Sequence, residues 1–250
     1  MTIAVHPKVV ELRQRWYVQR GWQHAYRHYQ TAVIAHLDPQ RAILDLGCGR
    51  KFPQAAKYLS QTPAVFGVDP VADPAAVPAG AVVKPGLAEQ IPFADASFDV
   101  VACRSVLEHI QHPHTVFDEV ARVLRPEGVF IFLTPSRYDY VSLAARLLPN
   151  AWHPWIMRRL EDREEDDTFP TYYRANARAA ARRLAARVCL EVERLDYLNH
   201  HPAYFMFSPL LYRVAALYDQ LLHRFERLDF LRGWLLGVLR KPHAPVGGRP

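Results

Sequence analysis

The chain has 250 residues, half of them apolar and 22% charged, with 31 Lys and Arg against 25 Asp and Glu for a formal net charge of +6. Such a composition buries a core and excludes disorder for the bulk of the chain, and the length allows one large domain or two small ones. Three widely spaced cysteines, Cys48, Cys103 and Cys189, exclude a disulfide framework or a CxxC metal site and fit a reducing, cytoplasmic compartment.

The N-terminal stretch MTIAVHPKVVELRQRW has no basic segment leading into an apolar one, so no signal peptide is expected. The apolar runs fall far short of the roughly 20 residues that span a bilayer. A pI near 9.3 invites nucleic acid or an anionic membrane, but this charge is too modest to carry either alone.

Residues 7–37 predict two helices broken near Gly21; in the second, Trp22, Ala25, Tyr26, Tyr29 and Val33 share one aromatic face. From Arg41 the period changes. RAILDL (41–46) reads as a buried strand ending in an acid and a Gly-Cys-Gly turn, AVFGVD (64–69) as a second strand ending in an acid, and AVVK (81–84) as a third, with a helix over FPQAAKYLS (52–60) between the first two. FDVVAC (98–103) is a fourth strand, apolar throughout as expected for a strand covered on both faces. Pro113 opens a helix that Pro126-Glu127-Gly128 stops, and VFIFLT (129–134) is the fifth strand.

The segment 135–171 is rich in Trp, His and Pro and carries an acidic run, EDREEDD (161–167), read as a solvated loop. Asn176 is the expected N-cap of ARAAARRLAARV, with Ala177, Ala180, Ala181, Leu184 and Val188 on the buried face. LEVERLDYL (190–198), an amphipathic helix over 209–225 and a last strand over GWLLGVLRK (233–241) complete the chain. Strands alternating with helices at this spacing imply an α/β fold with a doubly wound, mostly parallel sheet.

In such a sheet, ligands bind beyond the carboxyl ends of the strands. There the first strand delivers Asp45, Gly47, Cys48 and Gly49, and the second delivers Asp69, the type and place for a carboxylate accepting ribose hydroxyls. Arg50, Lys51, Phe52 and Pro53 follow the turn, so the third glycine of a pyrophosphate-binding G-x-G-x-x-G is missing and no P-loop is present. A ligand with a ribose and no phosphate fits better, and S-adenosylmethionine is the common one.

ILDLGCG (43–49), VFGVDP (65–70), GLAEQIPFADASFDVVACRSVLEHI (86–110) and EVARVLRPEGVFIFLTPS (119–136) together resemble the successive motifs of the class I S-adenosylmethionine-dependent methyltransferases, of the methyltransferase type 11-like kind. The resemblance implies a Rossmann-like seven-stranded sheet in the order 3-2-1-4-5-7-6 with the last strand antiparallel. It implies cofactor contacts at Asp45, Gly47, Cys48, Gly49, Asp69, Leu87, Ala88, Glu89, Arg104 and Ser105. Two departures stand out: Leu87 replaces an acid that accepts from the adenine amino group, and Lys51 replaces a small residue. LEH (107–109) resembles the fourth-strand end of ubiquinone-type O-methyltransferases, but Glu108 and His109 are too few ligands, and no metal is expected.

The expected activity is methyl transfer to a small-molecule, lipid-linked or glycan acceptor at oxygen or carbon, with His109 as the base if the acceptor is a hydroxyl. His112, His114, His153, His200 and His201 are alternatives. Residues 1–40 are expected to form a helical cap and 41–250 the methyltransferase domain, with an acceptor-binding insert and the amphipathic helix within about 137–232. The aromatic-rich variable parts line an acceptor pocket or simply cover the sheet. Nucleic acid is disfavoured because Cys103-Arg104-Ser105-Val106 stands where base-methylating enzymes carry an Asn-Pro-Pro-Tyr type of motif. Arg174, Arg178, Arg182, Arg183 and Arg187 read as a solvated face answered by the acidic run, and the 209–225 helix invites peripheral contact with the inner face of the membrane. The competing reading is a binding or scaffold protein that keeps the fold without turnover.

Overall fold

The computed structural model describes residues 5–140, 143, 170–199, 202 and 205–243. The run EDREEDD, Trp152, Trp155, His153, His200 and His201 lie outside the described residues.

Helix α1 spans Pro7–Trp16 and α2 spans Ala25–Ile34, separated by a 3-10 turn and by Gly21 in the left-handed region at φ 71°. His6 and His24 cap the two helices, their Nδ1 atoms accepting from the amides of Lys8 and Tyr26. Next come β1 (Ile43–Leu46), α3 (Ala55–Leu59), β2 (Val65–Asp69), β3 (Ala81–Pro85) and β4 (Phe98–Arg104). A 3-10 turn at Leu107–His109 leads to α4 (Pro113–Val123) and β5 (Leu124–Pro135). The chain then forms α5 (Arg178–Arg187), β6 (Glu191–Leu198), α6 (Pro209–Arg224) and β7 (Trp234–Arg240).

The seven strands form one sheet in the order β3-β2-β1-β4-β5-β7-β6. β1 pairs in parallel with β2 and β4, placing Asp45 beside Gly67 and Ala102, while β7 runs antiparallel between β5 and β6. The expected strand order and strand sense are therefore present. Parallel pairing brings the carboxyl ends of β1, β2 and β4 to one edge, and the order reverses between β1 and β4.

Both faces of the sheet are covered. On one, Phe98, Val101, Phe130 and Phe132 pack against Val116, Phe117 and Val120 of α4 and Ala181 and Ala185 of α5. On the other, Ile43, Val65, Val100 and Ile131 meet Tyr29 and Val33 of α2 and Ala55 and Tyr58 of α3. Each large side chain hidden here contributes about 1.5–3 kcal/mol relative to exposure. A satellite cluster joins α1 to α6 through Val9, Tyr17, Tyr212 and Ala216. Inside it the Tyr17 hydroxyl donates to Asp219 at 2.8 Å, and burial pushes the Asp219 carboxyl up to about 7.

Several local expectations need correction. Asn176 does not cap α5. Ala177 holds the cap position without a side-chain bond, while the Asn176 amide donates to Thr134 Oγ1 and, at 3.0 Å, to the Pro135 carbonyl. The buried face of α5 is Ala181 and Ala185, with Ala180 and Leu184 only half covered. α4 ends at Val123, and Pro126-Glu127-Gly128 form an irregularity within β5, where Glu127 takes φ 65°. α3 is shorter than expected because the chain is still turning through Phe52, at φ 46°. Of the five arginines expected on a solvated face, Arg174, Arg182 and Arg183 are exposed, whereas Arg178 pairs with Asp229 at 2.6 Å and lies over the Tyr197 ring, and Arg187 pairs with Asp118 at 2.9 Å.

Gly237 of β7 faces the ring of Phe132 so closely that a Cβ there would sit 2.2 Å from it. Gly237→Ala is expected to lower stability by about 1–3 kcal/mol, the usual cost of overpacking, measured as a shift in the urea midpoint.

Candidate functional site

The turn after β1 sets the floor of the site. Gly47 and Gly49 take φ values of 81° and 72°, a region that side chains disfavour. A Cβ on Gly47 would lie 2.1 Å from Val106 Cγ2, so the turn passes beneath Val106 with no room for a side chain. At Gly49 nothing lies within 4 Å of that position, which leaves open space above the backbone. The amides of Gly47 and Cys48 both donate to the Val68 carbonyl, at 2.8 and 3.2 Å. Cys48 is buried against Gly67, and burial pushes its thiol up to about 12. Its side chain packs there, and the residue also lines the pocket beside the turn.

Asp69 ends β2. Its Oδ2 accepts from the Gly49 amide at 2.9 Å and its Oδ1 from the Val71 amide at 3.0 Å. The carboxylate thus locks the glycine turn to β2, and each oxygen keeps a lone pair for a further donor. The adjacent loop is tied to the same edge by the Gly86 amide, which donates to the Asp69 carbonyl at 3.3 Å. There Leu87 is exposed, Ala88 is buried and Glu89 is half-buried. Arg122 of α4 braces the end of this loop, donating to the carbonyls of Ile91 and Phe93 and to Glu119 and Asp95.

Beneath the turn lies a small polar pocket lined by Tyr29, Asp45, Gly47, Cys48, Pro53, Gln54, Tyr58 and Arg104. Asp45 is buried, and that burial pushes its carboxyl up to about 7 against the opposing pull of Arg104 and the Tyr58 hydroxyl. The buried Tyr29 hydroxyl has no hydrogen-bond partner within the described residues. Arg104 reaches in from the end of β4, its guanidinium 4.6 Å from the Tyr26 ring centroid, and no ion pair holds it among the described residues. Ser105 takes φ 57°; its amide is committed to the Leu133 carbonyl at 2.9 Å, and its buried hydroxyl has no hydrogen-bond partner among the described residues. Backbone strain of this kind, of order 1–3 kcal/mol, gathers at ligand sites.

The sequence reading missed Tyr29, Pro53, Gln54 and Tyr58. The one signal was a tyrosine rather than a phenylalanine on the buried face of α2 and of α3. It also missed His24, whose ring packs with Tyr26 and Trp234 and whose protonation is disfavoured by burial and then by Arg104.

His109 stands on the 3-10 turn past β4, partly exposed. Its Nδ1 lies 3.0 Å from the Pro170 carbonyl and its Nε2 lies 3.9 Å from Glu108 Oε1. A carbonyl only accepts, so the Nδ1 carries a proton, and in the neutral ring the Nε2 is the nitrogen with the free lone pair. The Pro170 carbonyl, rather than Glu108, therefore sets the tautomer. Glu108 is buried and accepts from the Thr134 hydroxyl at 3.0 Å, while its carbonyl accepts from the amides of Tyr172 and Tyr173 at 2.7 and 3.2 Å. His112 and His114 are exposed at the start of α4 with their rings 5.7 Å apart.

A family model described as a methyltransferase domain matches residues 44–132. This stretch is a class I methyltransferase domain. The chain is 33% identical over 111 residues to the "probable S-adenosylmethionine-dependent methyltransferase" of Mycolicibacterium smegmatis, covering 43% of each protein. It is 30% identical over 139 residues to the ubiquinone biosynthesis O-methyltransferase of Hahella chejuensis, covering 47% of this chain and 56% of that protein. The chain thus spans about half the length of the curated relatives it matches. Among solved structures it resembles the YcgJ protein of Bacillus subtilis, with a TM-score of 0.53 and 17% identity over 87% of this chain and all of that one. At that identity the likeness shows the fold alone. Every pocket and turn residue described above except Tyr29 lies within or immediately beside the methyltransferase domain.

The raised carboxyls give stability a definite pH dependence. A carboxyl near 7 in the fold and near 3.8 when unfolded keeps a proton that the unfolded chain releases, so its contribution is full below about pH 4 and is lost as pH rises towards 7. Asp45→Asn is expected to flatten this fall by up to about 1.4 kcal/mol per pH unit between about pH 5 and 7, the limit for one proton. Denaturant titrations across that range measure it, and Asp219 leaves a residual slope of the same sign.

Proposed function

We propose that the chain is an S-adenosylmethionine-dependent methyltransferase acting at oxygen or carbon of a small-molecule, lipid-linked or glycan acceptor. The observation that carries this reading is the convergence, at the edge where strand order reverses, of the glycine turn, the Asp69 carboxylate and the Asp45–Tyr29–Arg104 pocket. The residues fit the cofactor's chemistry group by group. Asp69 offers acceptors for a ribose diol, and the open space over Gly49 is a cradle that any side chain would fill. Leu87 and Ala88 offer an apolar wall for adenine, with Glu89 beside them. Asp45 suits an ammonium, and Arg104 with the unpartnered Tyr29 hydroxyl suits a carboxylate, the two charges of an amino-acid end. Ser105 offers a hydroxyl in the same corner.

When bound, the sulfonium supplies an electrophilic methyl group, and the protein's task is to hold a nucleophile in line with it. For a hydroxyl acceptor, His109 Nε2 takes the proton, the Pro170 carbonyl keeps the tautomer that can do so, and Glu108 stabilises the imidazolium that forms. Residues 1–40 act as a helical cap and the elements within about 137–232 as the acceptor side. The aromatic cluster of Trp22, His24, Tyr26 and Trp234 supports an acceptor with an apolar body. A lipid-linked acceptor implies peripheral contact with the inner face of the membrane.

Calorimetric titration with S-adenosylmethionine, followed by an acceptor screen for release of S-adenosylhomocysteine, tests the reading. Asp69→Ala is expected to weaken cofactor binding by about 1.5–3 kcal/mol, and unchanged affinity removes the ribose assignment. Binding without turnover on any acceptor class favours the scaffold reading. His109→Gln is expected to lower turnover on a hydroxyl acceptor by about 10²-fold to 10⁴-fold with cofactor affinity nearly intact; steady-state rates beside the titration check it, and wild-type turnover excludes the base.

A further inference from the structure

Helix α6 has two apolar faces. One carries Tyr212, Ala216 and Leu222, buried against the rest of the protein. On the opposite side Leu210, Val214, Leu217, Leu221 and Phe225 recur every three or four residues, each between 48% and 71% exposed. Leu210 to Leu221 form a stripe about 17 Å long at the helical rise of 1.5 Å per residue, and Phe225 follows it just past the end of the helix. Single exposed apolar residues are ordinary, but an aligned row of five is a surface with a use.

Within α6 the exposed charged side chains are basic, and an acid, Glu226, follows just past its end. Arg213 and Arg224 lie along one edge of it, and the only acid of α6, Asp219, is buried on the other face. Helix α1 runs parallel to α6: the His6 amide donates to the Met206 carbonyl at 2.9 Å, and Tyr17 reaches Asp219. With the following 3-10 turn it adds Lys8, Arg13, Arg15 and Arg20 against a single acid, Glu11. Among the described residues none of these arginines is in an ion pair. An apolar strip with a cationic border complements a layer whose surface is anionic and whose interior is hydrocarbon. A second copy of this chain would set arginine against arginine.

We propose that α6 and α1 together form the docking surface for an anionic lipid bilayer, with the Leu210–Phe225 stripe sunk into the interface and the arginines at headgroup level. The long arginine stems suit that depth, because their methylene chains lie along apolar surface while the guanidinium stays wet. This deepens the membrane contact of the proposed function, on which it rests, by naming the surface that makes it, and it does not depend on the cofactor site.

Flotation with vesicles made of equal parts phosphatidylcholine and phosphatidylglycerol tests it, with pure phosphatidylcholine vesicles as the reference. The wild-type chain is expected to float with the anionic vesicles at low salt, less at high salt, and not with the neutral ones. Leu217→Glu with Leu221→Glu is expected to cut the bound fraction at least about tenfold, with an unchanged circular dichroism spectrum and unchanged S-adenosylmethionine affinity. Arg213→Glu with Arg224→Glu alters only exposed polar positions and is expected to remove the preference for anionic vesicles. Absence of the wild-type chain from anionic vesicles, or flotation that neither pair of changes reduces, overturns the proposal. So does a concentration-dependent dimer that the leucine changes dissolve in a chain that does not float, which would assign the stripe to a second copy. Flotation without cofactor binding would leave the docking surface standing and overturn the enzymatic reading instead.

Discussion

The backbone between Leu46 and Arg50 has to pass under Val106, a residue of the neighbouring crossover, and it can do so only because position 47 has no Cβ. That steric constraint sets the end of β1 against the residue that follows β4, and two positions later the Gly49 amide reaches Asp69 on β2. Three strand ends thereby meet at one turn, which is hydrogen-bonded to β2 and packed beneath Val106. What a ligand would meet there is a preformed floor rather than three independent loops, and little conformational entropy remains to be lost on binding.

The polar pocket below that floor is kept at a cost. Asp45, Tyr29 and Tyr58 bring hydroxyls and a carboxyl into a region otherwise sealed by Ile43, Val65 and Val100, and an incompletely partnered polar group in such surroundings costs about 1–3 kcal/mol. Arg104 offsets part of it, resting on the Tyr26 ring with no ion pair among the described residues.

The strands were legible in the sequence because each central one is buried on both faces, which makes it a continuous apolar run, and because acids and glycines punctuate their carboxyl ends. The turn residues followed from the same logic. What stayed hidden depends on partners remote in sequence. Asn176 looks like a helix cap until Thr134 and Pro135 are seen beside it. Arg178 looks solvated until Asp229 arrives from 51 positions away. Tyr29 belongs to an aromatic face that packs into the core, and its being a tyrosine rather than a phenylalanine is the only local sign that its hydroxyl meets a polar space. Pro170, which orients His109, is 61 positions from it, so the tautomer could not be read from LEH alone.

The placement of β7 between β5 and β6 also bears on how the molecule comes into being. β5 ends at Pro135 and its antiparallel neighbour begins at Trp234, 234 − 135 = 99 positions later. On a ribosome working at about 5–20 residues per second, the phenylalanine-rich edge of β5 waits about 5–20 s for the strand that closes it. During that interval it is an unpaired hydrophobic edge, the kind of surface that recruits other chains. β6, with Glu191, Glu193 and Arg194 along its outer half, is a poor substitute partner, so the nascent chain is steered towards waiting for β7 rather than closing early in the wrong order.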